Sequence, residues 1–206
     1  MPPKLLLGTN NKGKLREYHA LLEGVPFELV SPADIGFSAD VAETGKTFKE
    51  NAGLKASVFM QKSGLITLAD DSGLEVDVLQ GKPGIMSARY AGENATDMER
   101  IRFLLSKIKD IPWEKRTAQF RAVIAIAVPG EEIRFAEGEC RGYITFEPRG
   151  EKGFGYDPVF FVPELGKTMA ELNPAIKNRI SHRGKAALQA KEILLQIHAS
   201  GRLHNG

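Results

Sequence analysis

Gly8-Thr9-Asn10-Asn11-Lys12-Gly13-Lys14 gathers hydroxyl, amide and ammonium donors into a glycine-containing loop between an apolar run and an amphipathic segment. Such donors at a helix N-terminus hold phosphate through backbone N–H groups, the helix dipole and charge-assisted hydrogen bonds. The spacing Gly8-x-x-x-x-Gly13-Lys14 approaches the P-loop pattern, but Leu15 stands where that pattern needs a hydroxyl for Mg²⁺. The bland alternative is a solvated turn whose lysines serve solubility. Asp70-Asp71-Ser72-Gly73 closes a second apolar run as an acidic turn. Carboxylates there suit Mg²⁺, which takes one or two of them plus phosphate oxygens. Adjacent residues of an extended chain point to opposite faces, so one aspartate of the pair is expected at a site and the other elsewhere. Glu43, in a loop before Thr44-Gly45, offers a carboxylate from a separate segment.

Gly153-Phe154-Gly155-Tyr156-Asp157-Pro158 sets two aromatic rings among glycines, where a planar base can approach ring and backbone together. Lys177, Arg179, His182, Arg183 and Lys185 form a late basic cluster, and His182 alone reads equally as a helix cap at the surface. Phosphate cradle, metal carboxylates, aromatic and basic groups together point to an enzyme acting on a nucleotide. No histidine pair has zinc-ligand spacing, so a zinc site is rejected.

These groups need a scaffold, and the hydrophobic pattern supplies an α/β one. Leu5–Leu7 reads as a buried strand, followed by a helix from about Asn11 to Leu22 with Leu15, Tyr18, Leu21 and Leu22 near helical spacing. Thr47-Phe48-Lys49-Glu50 is a capping box for a helix to about Ser63, with Asn51 and Lys55 sharing its polar face. Leu65–Ala69 suits a central strand whose functional end is Asp70. Thr96-Asp97-Met98-Glu99 caps a third helix carrying Ile101, Leu104, Leu105 and Ile108. Gln119–Val128, Ile133–Ala136, Tyr143–Phe146 and Val159–Val162 read as strands, consecutive ones antiparallel, so the sheet is expected to be mixed. Lys185–His198 closes the chain as a helix. With no repeat and no linker, residues 1–206 are expected to form one domain with a cleft.

Composition excludes several classes. A net charge of +2 gives no electrostatic footprint for nucleic acid. Three consecutive leucines fall short of a signal-peptide core or a membrane span. The single cysteine, Cys140, precludes an intramolecular disulfide and fits a reducing, cytoplasmic setting. It lies in a strand-like stretch without a histidine partner and reads as a structural thiol.

With these motifs in hand, the chain resembles the inosine triphosphate pyrophosphatase family. The match runs in order through Thr9–Lys14, Glu43-Thr44-Gly45, Glu50-Asn51-Ala52 with Lys55, Ala69–Leu74, Pro83-Gly84, Ser87–Tyr90, Gly153–Pro158 and Ser181-His182-Arg183. Asn10 departs from it, where many members carry Gly. The resemblance implies an elongated mixed β-sheet flanked by helices, two lobes around a central substrate cleft, and a homodimer. It implies Mg²⁺-dependent hydrolysis of ITP, dITP and XTP to the monophosphate and pyrophosphate. Carried over by motif, Thr9, Asn10, Asn11, Lys12, Gly13 and Lys14 hold the triphosphate. Glu43 and Asp71 bind Mg²⁺, and Asp71 is the proton acceptor. Ser72, Phe154, Gly155, Tyr156, Asp157, Lys177, His182 and Arg183 contact substrate. Lys14 and Lys177 would offset charge on the pyrophosphate, and donors from His182, Arg183 or backbone would meet the 6-keto group of the base.

Two other readings compete. A P-loop kinase or NTPase would rest on Gly8–Lys14 and Leu65–Asp70, with Leu15 against it. A non-enzymatic nucleotide- or RNA-binding module built on Lys177–Lys185 would leave Glu43 and the aspartate pair without a task.

Overall fold

The computed structural model describes residues 1–36 and 41–201. Seven strands form one mixed sheet: β1 (Lys4–Leu7), β2 (Glu28–Val30), β3 (Ile66–Val76), β4 (Thr117–Ala127), β5 (Arg134–Ile144), β6 (Phe160–Val162) and β7 (Lys167–Thr168). Their order is β2-β1-β3-β4-β5-β6-β7. The β2-β1-β3 end is parallel, with Leu6 beside both Val30 and Thr67, and the β5-β6-β7 end is antiparallel. Among the described residues, five α-helices accompany it: α1 (Lys12–Leu21), α2 (Phe48–Ser63), α3 (Asp97–Lys107), α4 (Pro174–Ile180) and α5 (His182–Ala199). The mixed α/β class is as expected from sequence. None of these helices is long and apolar enough to cross a membrane, among the described residues.

The helix starts follow local rules. Asn11 caps α1 by accepting from Lys14 N–H at 3.0 Å. Thr47 caps α2, with the Glu50 carboxylate reaching back to Lys46 N–H at 2.6 Å. Thr96 and Glu99 close a complete capping box on α3.

Two strands outrun their expected limits. β3 does not stop at Ala69 but continues through Asp70 and Asp71 to Val76, so the acidic turn is a strand. The buried carboxylates meet cations from other segments and leave no electrostatic reason for the strand to end. β5 is one strand of 11 residues where Ile133–Ala136 and Tyr143–Phe146 suggested two. Gly138 and Gly142 look like breaks, yet Gly142 is required by a close approach. A Cβ there would collide with the Phe161 carbonyl oxygen and lie 2.8 Å from the Phe160 ring. Gly142→Ala should therefore lower stability by about 1–3 kcal/mol through overpacking, read as a shift in the urea midpoint.

The chain divides into two compact units. The first takes in Met1–Asp71, Ala122–Gly138 and α5 from Arg183 onward. There α1 and α5 cover one face of the strands, where Tyr18, Leu22, Ala186, Ala190 and Leu194 meet Leu5, Leu7, Leu68, Ile124 and Ile126. Leu15 joins this cluster, as its place in the helical pattern requires. On the other face Phe59 of α2 packs with Leu6 and Val30.

The second unit, Ser72–Arg121 and Glu139–His182, has its own core. Ile101, Leu104 and Ile108 pack there with Phe120, Ile144, Tyr156, Phe160 and Leu172. Cys140 is a buried free thiol within it, consistent with a structural role.

Candidate active site

Asp70 and Asp71 are both buried, and the pleat sends them to opposite faces of β3. Asp70 shares the face of Ile66 and Leu68 that α1 and α5 cover. Its carboxylate lies 3.0 Å from Lys14 Nζ and 3.4 Å from the Arg183 guanidinium, which also binds Glu17 at 2.6 Å. Burial alone would raise the Asp70 pKa, but Lys14 and Arg183 outweigh it and hold the carboxyl well below the usual range. Burial also pulls Lys14 below an ordinary lysine, with Asp70 opposing.

Asp71 faces α2. Its Oδ1 lies 2.9 Å from Lys55 Nζ, and its Oδ2 accepts from Asn51 Nδ2 at 3.2 Å. Lys55 also reaches Glu43 Oε1 at 2.9 Å, so a strand and a distant loop bring two carboxylates to one cation. Burial opposes charge on Lys55, yet Asp71, Asp70 and Glu43 raise its pKa overall. Asp71 is the converse: burial raises its pKa, only partly offset by Lys55 and Lys14. Asn51 also accepts Gly45 N–H at 2.8 Å, and a Cβ on Gly45 would lie 2.6 Å from that amide oxygen. The Glu43 loop is thus drawn tightly onto α2.

Two hard carboxylate oxygens converging on one positive charge fit Mg²⁺, whose other positions go to water and phosphate oxygens. Among the described residues, no three His, Cys, Asp or Glu side chains gather as a metal cage.

The second unit holds the other predicted residues. Asp157 is buried, taking Phe154 N–H at 2.9 Å and Lys177 Nζ at 2.5 Å. Lys177 Nζ lies 5.1 Å from the Phe154 ring centroid. Tyr156 is a core residue whose hydroxyl donates to Ser87 O at 3.0 Å, so its ring is not available for stacking on a base. Of the two aromatic rings, Phe154 is the one partly exposed. His182 is buried rather than a surface cap, and its imidazole stacks on Phe120 at 4.6 Å and 16°.

The sequence patterns flagged Asn51 and Lys55 as one polar helix face, a turn apart, without showing what they met. Glu17, three residues after Lys14 on α1, had no distinguishing signal at all. Neither did the position of Asp97, whose carboxylate accepts Gly155 N–H at 2.7 Å.

Residues 5–193 match the model of the Ham1 family. A dITP/XTP pyrophosphatase of Geobacter sulfurreducens is 53% identical over 191 residues, covering 93% of this chain and 96% of that protein. One from Bacillus licheniformis is 47% identical, covering 94% and 98%. The solved structure of a HAM1 protein from Coxiella burnetii superposes with a TM-score of 0.85 at 41% identity, covering 94% of this chain and 99% of that one. The Ham1 protein of Staphylococcus aureus gives 0.84 at 40%, covering 94% and 99%. With a family model spanning nearly the whole sequence and relatives near half identity, this chain belongs to the Ham1 family.

Proposed function

We propose that this protein is a nucleoside triphosphate pyrophosphatase. It hydrolyses non-standard purine nucleotides such as dITP, ITP and XTP to the monophosphate and pyrophosphate. The observation that carries the reading is the division of labour between neighbours on β3. Asp70 is consumed by Lys14 and Arg183, whereas Asp71 meets Glu43 at a cation and has its pKa raised by burial. Of the two aspartates, Asp71 is the one suited to accept a proton.

In this reading the loop Thr9–Lys14 and the N-terminus of α1 receive the phosphates, with Lys12 and Lys14 supplying charge. Lys14 arrives already aimed by Asp70, and Lys177 by Asp157. Each ammonium has three donors, so one carboxylate does not exhaust it. Glu43 and Asp71 hold Mg²⁺. Bound by these two carboxylates, the ion would supply positive charge to offset that on the phosphates. Asp71 orients the attacking water and takes its proton. Ser72 lies next to that carboxylate in the chain. Phe154 offers a ring face to the base, Gly155 and Tyr156 their backbone, and His182 a donor to the 6-keto oxygen. Arg183 acts through Asp70. An adenine 6-amino group would leave those donors unpaired, a mismatch that polar sites reject by about 10⁴-fold. Residues 1–206 are read as one pyrophosphatase domain of a cytoplasmic homodimer that acts on neither nucleic acid nor membrane.

Both rivals lose support. Leu15 packs, partly buried, against the core and gives no hydroxyl to a P-loop metal. Lys177 and Arg183 are buried against carboxylates and do not form a basic stripe for RNA. The test is a hydrolysis panel of ITP, XTP, dITP, GTP and ATP, with and without Mg²⁺, separating pyrophosphate from orthophosphate. Pyrophosphate from ITP and XTP, with little from ATP and GTP, is the expected result. Orthophosphate from ATP would move the assignment to a P-loop type of chemistry, and elution as a monomer in size exclusion would remove the dimer.

A further inference from the structure

The loop Gly153–Asp157 is tied down by two carboxylates on two successive backbone N–H groups. Asp157 takes the N–H of Phe154 at 2.9 Å, from within the loop. Asp97, 58 residues earlier and the first residue of α3, takes the N–H of Gly155 at 2.7 Å. Here the chain supplies both anions itself, and the peptide between Phe154 and Gly155 is fixed in orientation.

Asp97 is in turn held. Its other oxygen pairs with Arg100 Nη2, one turn along α3. Arg100 Nη1 donates to Ala88 O at 2.6 Å and to Ala95 O at 2.8 Å. Tyr156 OH adds a second tie, to Ser87 O. The aromatic loop and the Ser87-Ala88 segment are therefore both fixed to the start of α3, through one ion pair. None of these bonds is needed to start the helix, because Thr96 and Glu99 already form the capping box.

We propose that Asp97, oriented by Arg100, is a positioning residue that sets the backbone of Phe154 and Gly155 for recognition of the purine base. This rests on the reading above that the loop meets the base. Selectivity between 6-keto and 6-amino purines depends on donors placed within a fraction of an ångström, and a misplacement near 1 Å costs up to about 10²-fold. Asp97 does not touch the phosphates in this scheme. Losing it should alter base binding and leave the chemical step in place.

The test compares wild type with Asp97→Ala, Asp97→Asn and Arg100→Gln. Asp97→Ala is expected to raise KM for ITP about tenfold, the worth of one charge-assisted hydrogen bond, with kcat within about twofold. The preference for ITP over ATP should narrow, and hydrogen exchange in the 153–157 segment should speed up. Asp97→Asn keeps one acceptor and should fall between wild type and Asp97→Ala. Arg100→Gln should move KM and selectivity in the same direction. Faster exchange with unchanged KM and selectivity would overturn the proposal alone. So would a uniform loss of kcat and melting temperature with KM unmoved, the mark of a merely structural residue. A wild type that leaves ITP intact would overturn the functional reading and this proposal together, without recourse to any variant.

Discussion

Replacing Asp71 with Asn should cut pyrophosphate release from ITP by at least about 10³-fold while the protein stays folded. A positioned general base contributes about 10²–10⁴-fold, and the same carboxylate is half of the proposed metal pair, so the two losses compound. Asn is nearly isosteric, and its amide oxygen still accepts from Asn51 Nδ2. Lys55 keeps Glu43 as a partner. Burial disfavours the charged form of Asp71, so removing that charge relieves a penalty and offsets the lost ion pair. The urea midpoint should therefore move little. The measurement is single-turnover hydrolysis of ITP in saturating Mg²⁺, with circular dichroism as the control for folding. Activity within tenfold of wild type would remove Asp71 as the proton acceptor.

Asp70→Asn should do the opposite, costing about 3–5 kcal/mol of stability. The Asp70 side chain is fully buried, and it is the charge that Lys14 and Arg183 share. Breaking a buried pair leaves uncompensated charge in a low dielectric, which is costlier than never having built the pair. Arg183 retains Glu17, so the figure belongs at the lower end of that range. The pH dependence has a definite sign. The folded Asp70 pKa lies below the ordinary value of 3.8, so its contribution is complete above about pH 4. It is lost as pH falls below 4 toward the folded value. Urea unfolding in metal-free buffer at pH 7 should separate wild type from Asp70→Asn, and the gap should narrow in acid below pH 4. A gap under 1 kcal/mol at pH 7 would show that the Lys14–Asp70–Arg183 cluster contributes little net stability.

These two predictions concern adjacent residues of the same type, and their opposite outcomes come from the fold. The alternation of a strand already sends Asp70 and Asp71 to different faces. What covers each face is decided by partners distant in sequence. Lys14 lies 56 residues from Asp70 and Arg183 lies 113 away. No local pattern assigns the buried ion pair to Asp70 and the Glu43 side to Asp71.

The same distinction runs through the chain. Signals that act within one or two turns are legible from sequence alone: the caps at Thr47 and Thr96, Leu15 on an apolar helix face, and the strand–loop–helix order around Gly8–Lys14. They depend on hydrogen bonds and periodicity among near neighbours, which residue types specify directly. Tertiary structure alone decided that β3 runs on through two aspartates, that Gly142 lies mid-strand, and that Tyr156 is core while Phe154 is not. It also decided that Asp97 holds the backbone of a loop 58 residues away. In these cases the controlling free energy is the desolvation of a charge, a ring or a peptide group, or, at Gly142, the steric cost of a close approach. That cost is set by whatever the folded chain brings alongside it.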